Sequence, residues 1–405
     1  MKRIKINALD VGTTKICTLM ADADENGLPR ILGVGVAPSR GLRKGIVVDF
    51  NEVKKSIRKS VMKAEQIAGY KLESAFVGVT GKHINSENNR GVISITRDNK
   101  VVKREDMKRV QEVARTINVP SDRELLHVIP RSYAVDGQDG VNNPLGMHGF
   151  RLDIETHMIT ASVTSIRNLT KCINSVGVEI SDLVLEPLAS AEAVLTDEER
   201  QGGVLLADIG GGTTDIAVFK NDSIFHTSVL PVAGYQLSRD IALGLDVSFE
   251  QAEDIKEKYG NVTPISEEDG GEPDRDITEY GRTFSYNKLS EIIRMRTEEL
   301  LRLIKLELPQ QEQRDYTKFI PGGIVLTGGT ANLAGIAKLG SKITRLPVRV
   351  GVPYNLYGIT DTLCDPAYAT SVGLLLWKWH RLGIKGWQNK TGLRRYFSEV
   401  FTALR

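Results

Sequence analysis

The residues best suited to chemistry are the run Asp208-Ile209-Gly210-Gly211-Gly212-Thr213-Thr214-Asp215. An apolar stretch, Val204 to Ala207, leads in and a second, Ile216 to Phe219, leads out, so the pattern predicts a hairpin with a glycine tip. Glycines let backbone N–H groups turn toward an anion with no Cβ in the way, and Thr213 and Thr214 add hydroxyl donors. Asp208 beside them can hold a hydrated divalent cation. Such a tip suits a magnesium-bound nucleoside triphosphate. Taken alone, the cluster is also compatible with an ordinary glycine turn flanked by acids. A second copy narrows the choice, because Ile4 to Leu9 runs into Asp10-Val11-Gly12-Thr13-Thr14-Lys15 and strand pattern resumes at Ile16 to Met20. Two strand-Asp-Gly-Thr-Thr-strand units predict two similar lobes offering phosphate hairpins to one cleft.

The elements that must position these hairpins follow from periodicity. Ile31 to Ala37 and Ser74 to Val79 read as further strands, and Asp49 to Gly69 as an amphipathic helix with Val53, Ile57, Val61, Ala64 and Ala68 on one face. From Lys82 to Glu155 the pattern changes. A strand at Gly91 to Thr96, a helix at Arg104 to Ile117 with Val110, Val113, Ala114 and Ile117 inward, a strand at Glu124 to Val135 and a loop at Asp136 to Gly149 predict an inserted α+β lobe. His157 to Val163 is expected to resume the first lobe. The helix Ser165 to Gly177, the strand Val178 to Leu185 and a small-residue helix opened by Glu186-Pro187 follow. Beyond the second hairpin come a strand at Ile224 to Leu230, a helix at Tyr235 to Leu243 and a helix to Tyr259 with a Ser248/Gln251 capping box. Glu253 and Lys256 share a face of that last helix. Thr263 to Glu279 reads as a loop, Tyr286 to Leu308 as a long helix, Gly323 to Thr327 as a strand into Gly328-Gly329-Thr330 and a helix to Leu339. Asp365-Pro366 opens the last core helix, to Trp379.

Composition excludes several classes. Of 405 residues, 53 are Lys or Arg and 51 Asp or Glu, so no field of one sign argues for nucleic acid. The N-terminus enters a strand with no apolar signal core, and no apolar run approaches the ~18 residues of a membrane span. Cys17, Cys172 and Cys364 are too few and too far apart for a disulfide frame or zinc site, which fits a cytosolic chain. The histidines form no pair at metal-ligand spacing.

The order of these parts resembles the actin, sugar kinase and heat-shock chaperone ATPase superfamily: first hairpin, small-residue helix after Glu186-Pro187, second hairpin, the Val325 to Thr330 turn and a late helix with Ala369 and Gly373. Within it, the inserted lobe and the C-terminus described below resemble the FtsA family of bacterial cell-division proteins. The resemblance implies an α/β, actin-like two-lobed ATPase fold. Residues 1–81 and 156–196 would form the first lobe, 82–155 the insert, 197–365 the second lobe, 366–384 a final helix returning to the first lobe, and 385–405 a linker and membrane-targeting helix. It implies that Gly12, Thr13, Thr14 and Lys15 hold ATP phosphates from one side and Gly210, Gly211, Gly212, Thr213 and Thr214 from the other. Asp10 and Asp208 would sit near Mg2+, through water. Gly234 would approach the phosphates, Glu253 and Lys256 the ribose and adenine, and Gly328, Gly329 and Thr330 the adenosine. Glu186 falls where related filament proteins orient the attacking water, although a carboxylate favoured by the helix dipole fits it as well. The resemblance further implies self-association into filaments, binding of the tail of the tubulin homologue FtsZ near helix 286–308, contact with other divisome proteins, and a peripheral place on the inner face of the cytoplasmic membrane at the division site. ATP turnover is expected to be slow. A pilus-assembly protein of the PilM type and a sugar kinase of the same superfamily are the rival readings.

At roughly 100° per residue, Leu393, Tyr396, Phe397, Val400, Phe401 and Leu404 span an arc of about 140° in a helix from Thr391 to Arg405. From Lys385 onward five basic residues stand against the single Glu399, and Trp387 precedes the helix. An apolar face with a basic rim lies well in an anionic lipid interface; docking on the protein's own body or on a partner is the alternative. The basic residues of helix 286–308, Lys288, Arg294, Arg296, Arg302 and Lys305, are a candidate contact for an acidic tail or a solvated face.

Overall fold

Both hairpins form where the repeat places them. Ile4–Val11 pairs antiparallel with Lys15–Ala23, and Val204–Ile209 with Thr214–Lys220. The computed structural model describes residues 3–23, 29–116, 119–263, 274–308, 316–354 and 356–381. Each hairpin is the centre of a sheet built to one plan. In the first lobe the order is Glu179–Leu185, Ser74–Val79, Ile4–Val11, Lys15–Ala23, Arg30–Pro38 and the two-residue strand Tyr357–Gly358. In the second it is Val348–Val350, Ile324–Thr327, Val204–Ile209, Thr214–Lys220 and Ser223–Leu230. In both, three strands run as an antiparallel meander and two more add in parallel beside the first. The central strands are buried on both faces, which is why they read as unbroken apolar runs rather than alternating ones.

Helices cover these sheets for local reasons visible in the chain. Phe50–Ala68 begins because the Asp49 carboxylate accepts from the backbone N–H groups of Asn51 and Glu52, and it stops at Gly69, whose φ of 75° an L side chain resists. Phe249–Tyr259 starts at the Ser248/Gln251 capping box, as its spacing predicts. Asp197–Gly202, capped by Thr196, is a short helix the sequence reading did not anticipate.

The inserted lobe is a four-stranded sheet in the order Asn85–Ser94, Arg151–Ser162, Arg123–Val135, Gln138–Val141. The helix Arg104–Arg115 packs on it through Met107, Val110 and Ala114. Val113, expected inward, is 44% exposed, because the inward stripe runs through Met107, Val110 and Ala114 and leaves Val113 on the outer side; Ile117 lies outside the described residues. The strand expected at His157 to Val163 as a return to the first lobe belongs instead to the insert. Arg151–Ser162 is one continuous strand, paired on both sides within that sheet up to Thr160, and Ser162 then caps the helix Val163–Asn174.

Two segments expected as loop carry hairpins. Asp136 and Gly137, at φ 50° and 85°, turn Arg123–Val135 into Gln138–Val141; Tyr280 and Gly281, at φ 54° and 72°, join Asp276–Glu279 to Arg282–Ser285. Consecutive positive-φ residues make the turn that matches strand twist. The helix expected after Gly328 is divided at Gly335 (φ 81°) into a 3-10 turn, Gly329–Asn332, and a helix, Ile336–Thr344. Pro366–Tyr368 is likewise a 3-10 turn leading into the helix Ala369–Arg381.

The insert also reaches the second lobe. Ser86 Oγ donates to the Thr227 carbonyl (2.8 Å), Ser223 Oγ to that of Pro130 (3.0 Å), and the His157 ring bridges Asn88 Oδ1 (2.7 Å) and Thr227 Oγ1 (2.9 Å). Burial pushes the His157 pKa down to about 3, so this contact is made by a neutral ring.

Candidate functional site

The two hairpin tips meet face to face. A Cβ at Gly211 would lie 1.8 Å from Thr14 Oγ1, and one at Gly212 would lie 2.8 Å from Thr13 Oγ1, so only glycine lets the lobes approach this closely. The N-terminus of the helix Gly234–Leu245 closes on the same point, with Gly234 N–H donating to the Gly210 carbonyl (3.1 Å) and Tyr235 N–H to that of Gly211 (2.7 Å).

Behind the tips sit four buried carboxyls. Asp10 Oδ2 accepts from Ser371 Oγ (2.7 Å). Asp208 Oδ2 accepts from Thr370 Oγ1 (2.9 Å) and from Ser190 Oγ. Asp215, the cross-strand partner of Asp208, accepts from Thr80 Oγ1 of the first lobe and from Thr213 Oγ1 (3.1 Å). Glu186 opens its helix with Oε1 lacking a hydrogen-bond partner among the described residues. The helices carrying Ser190, Thr370 and Ser371, Glu186–Val194 and Ala369–Arg381, cross backbone to backbone, because a Cβ at Gly373 would lie 1.8 Å from the Ala189 carbonyl oxygen.

Electrostatics state what the cleft lacks. Burial raises the pKa of Asp10 to about 6 and that of Asp215 to about 7, and raises Asp208 and Glu186 as well; mutual repulsion adds to the rise for Asp10, Asp215 and Glu186. Lys15 is the nearby cation. Burial pulls its pKa down, opposed by Asp10, and its Nζ rests 3.5 Å from the centre of the Tyr368 ring. One lysine does not balance four carboxyls, so a divalent cation fits the charge deficit. Among the described residues no three ligating side chains converge closely enough to chelate a metal directly. A cation would therefore be held through water and by phosphate oxygens, with Asp10 and Asp208 in its outer sphere.

Asp215→Asn tests this charge argument. The Asp215 pKa is raised in the folded state, so the unfolded carboxyl ionises first and stability falls as pH rises from about 4 to about 7. Asparagine keeps the Thr80 hydrogen bond and removes the ionisation. The nucleotide-free variant is expected to melt above the wild type at pH 8, by roughly 1 kcal/mol or more, with the gap closing toward pH 4, while losing Mg-nucleotide affinity. Thermal melts at both pH values, with and without Mg-ATP, check it.

The second rim of the cleft is equally close. Lys256 Nζ donates to both oxygens of Glu253 (2.8 Å each) and to Ser238 Oγ (3.0 Å). A Cβ at Gly234 would meet Thr330 Oγ1 at 2.7 Å and Lys256 Nζ at 3.4 Å, so these residues share one corner. Thr330 Oγ1 donates to the Gly210 carbonyl (2.9 Å), tying the turn at Gly328, Gly329 and Thr330 to the second hairpin.

The chain's similarity to known proteins agrees with this geometry. A family model described as "Cell division protein FtsA" matches residues 205–373, and one described as "SHS2 domain inserted in FTSA" matches residues 81–160. The chain is 41% identical over 376 residues to Cell division protein FtsA of Pseudomonas aeruginosa, covering 92% of this chain and 88% of that protein. It is 38% identical to the FtsA of Bacillus subtilis, covering 94% and 84%. The chain belongs to the FtsA family. Its role is in cell division. Among solved structures, a PilM-PilN type IV pilus biogenesis complex aligns with a TM-score of 0.66 at 16% identity, covering 93% of this chain and 99% of that one. MreB5 of Spiroplasma citri bound to ADP aligns with a TM-score of 0.56 at 14% identity, covering 95% and 99%. These likenesses show the actin-like fold that the FtsA family shares with them.

Both hairpins, Glu186, Gly234, Glu253, Lys256 and the Gly328 turn, expected at the site from the sequence, lie around one cleft in the structure. Thr214 is placed differently from a phosphate donor: its hydroxyl is fully buried and donates to the Val232 carbonyl (2.7 Å), bracing the hairpin. Asp215, Thr80, Thr370, Ser371 and Tyr368 were not singled out. Asp215 had a signal, since it stands opposite Asp208 in the hairpin register. On helix 286–308, observed as Tyr286–Leu306, Arg294, Arg296 and Arg302 pair with Glu298, Asp240, Glu299 and again Glu298. Trp387, Leu393, Phe397, Val400, Phe401 and Leu404 lie outside the described residues.

Proposed function

We propose that the chain binds Mg-ATP between its two lobes, self-associates into actin-like filaments in the closed state, and tethers the FtsZ ring to the inner face of the cytoplasmic membrane. The observation that carries this reading is the pair of opposed hairpin tips backed by four buried carboxyls, a cleft short of positive charge that a magnesium-bound triphosphate would fill. Asp10 and Asp208 would hold the hydrated Mg2+. Lys15 and the tip N–H groups would neutralise phosphate oxygens, while Glu186 would orient a water for slow hydrolysis. Bound nucleotide bridges both tips and so favours closure over opening.

The membrane part rests on the terminal sequence. Among the described residues no helix is long and apolar enough to cross a membrane. The basic amphipathic segment 391–405 offers interfacial binding instead, weak singly and strong in a filament that presents many copies. The FtsZ tail would dock near Tyr286–Leu306, where Met295 and Leu306 are exposed among charged neighbours. Phe397→Glu combined with Phe401→Glu is expected to abolish co-sedimentation with anionic vesicles while leaving Mg-ATP affinity unchanged. Undiminished vesicle binding by the double variant would refute the anchor.

A further inference from the structure

Glu186 has a second side. The residue, 8% exposed, lines a pocket that touches the first hairpin only at Val11 and is walled by Gly78, Thr80, His83, Ser165 and Leu169. Glu186 Oε1, His83 Nδ1 and His83 Nε2 are all buried there without a hydrogen-bond partner among the described residues. Three orphaned polar atoms around one small space cost free energy unless water fills it, and the pocket has room for about one ordered water.

The end of the strand Ser74–Val79 connects this pocket to the cleft. A Cβ at Gly78 would lie 3.4 Å from Glu186 Oε1, Thr80 donates to Asp215 on the cleft side, and a Cβ at Gly81 would lie 2.8 Å from His83 Nδ1. His83 is fixed through its backbone, whose carbonyl accepts from Arg123 Nη2 (3.0 Å) of the insert. Burial, helped by the Arg123 charge, lowers the His83 pKa, so the ring is neutral at rest and can both donate and accept.

We propose that an ordered water in this pocket joins His83 to Glu186, making His83 a positioning residue for hydrolysis and the acceptor of the proton it releases. The proposal rests on the nucleotide-binding reading above. As a water oxygen bonds to the terminal phosphorus of ATP, the bond from that phosphorus to the bridging oxygen breaks and its electron pair stays with ADP. The attacking water's proton passes to the Glu186 carboxylate, Glu186 gives it to the pocket water, and that water gives one of its own protons to the neutral His83 ring. Without His83, Glu186 still faces the cleft but loses its orientation and its route for the proton.

The test measures phosphate release and, by calorimetry, Mg-ATP affinity for the full chain, for His83→Ala and for His83→Gln. His83→Ala is expected to slow turnover about tenfold with affinity within about twofold of wild type, and added imidazole to restore most of the loss. His83→Gln, which keeps hydrogen bonding but not proton uptake, should fall between. Unchanged turnover in His83→Ala, a loss that imidazole does not restore, or a wild type that binds Mg-ATP without hydrolysing it would overturn the proposal. A wild type that fails to bind Mg-ATP would overturn the underlying reading as well, and calorimetry separates that failure from the others.

Discussion

Asp208→Ala is expected to weaken Mg-ATP binding by at least about 100-fold, or ~2.7 kcal/mol. The carboxyl stands at the end of the strand Val204–Ile209, between the second hairpin tip and the helix crossing, and with Asp10 would hold the hydrated cation that carries the phosphates. The loss is not expected to come from unfolding. Ser190 Oγ and Thr370 Oγ1, which donate to Asp208, lie 2.9 Å from one another and can pair when it is gone. Removing a buried carboxyl whose pKa burial raises also relieves the nucleotide-free protein of a charge it holds at a cost. Isothermal calorimetry with Mg-ATP, beside a thermal melt without nucleotide, separates the two effects. Unchanged affinity would refute the assignment of the cleft.

Gly373→Ala should produce the largest loss of stability, at least about 2 kcal/mol. The added Cβ would meet the Ala189 carbonyl oxygen at 1.8 Å, its carbon at 2.3 Å and Ser190 N at 3.0 Å. All three are backbone atoms within a helix, so no side chain can swing aside. The helix Ala369–Arg381 would have to move away from Glu186–Val194, carrying Thr370 and Ser371 off Asp208 and Asp10. Nucleotide affinity should fall together with the melting temperature. A variant with the wild-type melting temperature would show that the helices do not cross this closely.

The parts legible in the sequence were those written locally. The two glycine-threonine hairpins are legible because glycine, threonine and aspartate recur in one order beside buried strands, and the repeat in sequence is matched by a repeat in sheet topology. The hydroxyls of Thr80, Thr370 and Ser371 could not be read, because what selects them is the meeting of distant segments; in isolation each is a small residue near a helix start or a strand end. The hairpin turned at Asp136-Gly137 and the first strand of the hairpin turned at Tyr280-Gly281, Asp276–Glu279, fall in stretches that read as loop. The first carries the Asp-Gly signal of a tight turn, whereas tyrosine at positive φ is uncommon and gave none. The end of the insert was misplaced for a related reason. Periodicity finds a strand at His157, but only register shows that it pairs with the insert rather than with the first lobe.

If closure on nucleotide builds filaments and filaments hold the membrane through many weak helices, nucleotide drives membrane attachment, and co-sedimentation with anionic vesicles reads this out. The full chain and a truncation ending at Lys385 would each be pelleted with and without Mg-ATP. Mg-ATP is expected to increase pelleting of the full chain, and the truncation is expected to stay in the supernatant under both conditions. Equal pelleting with and without nucleotide, or by both chains, would contradict it.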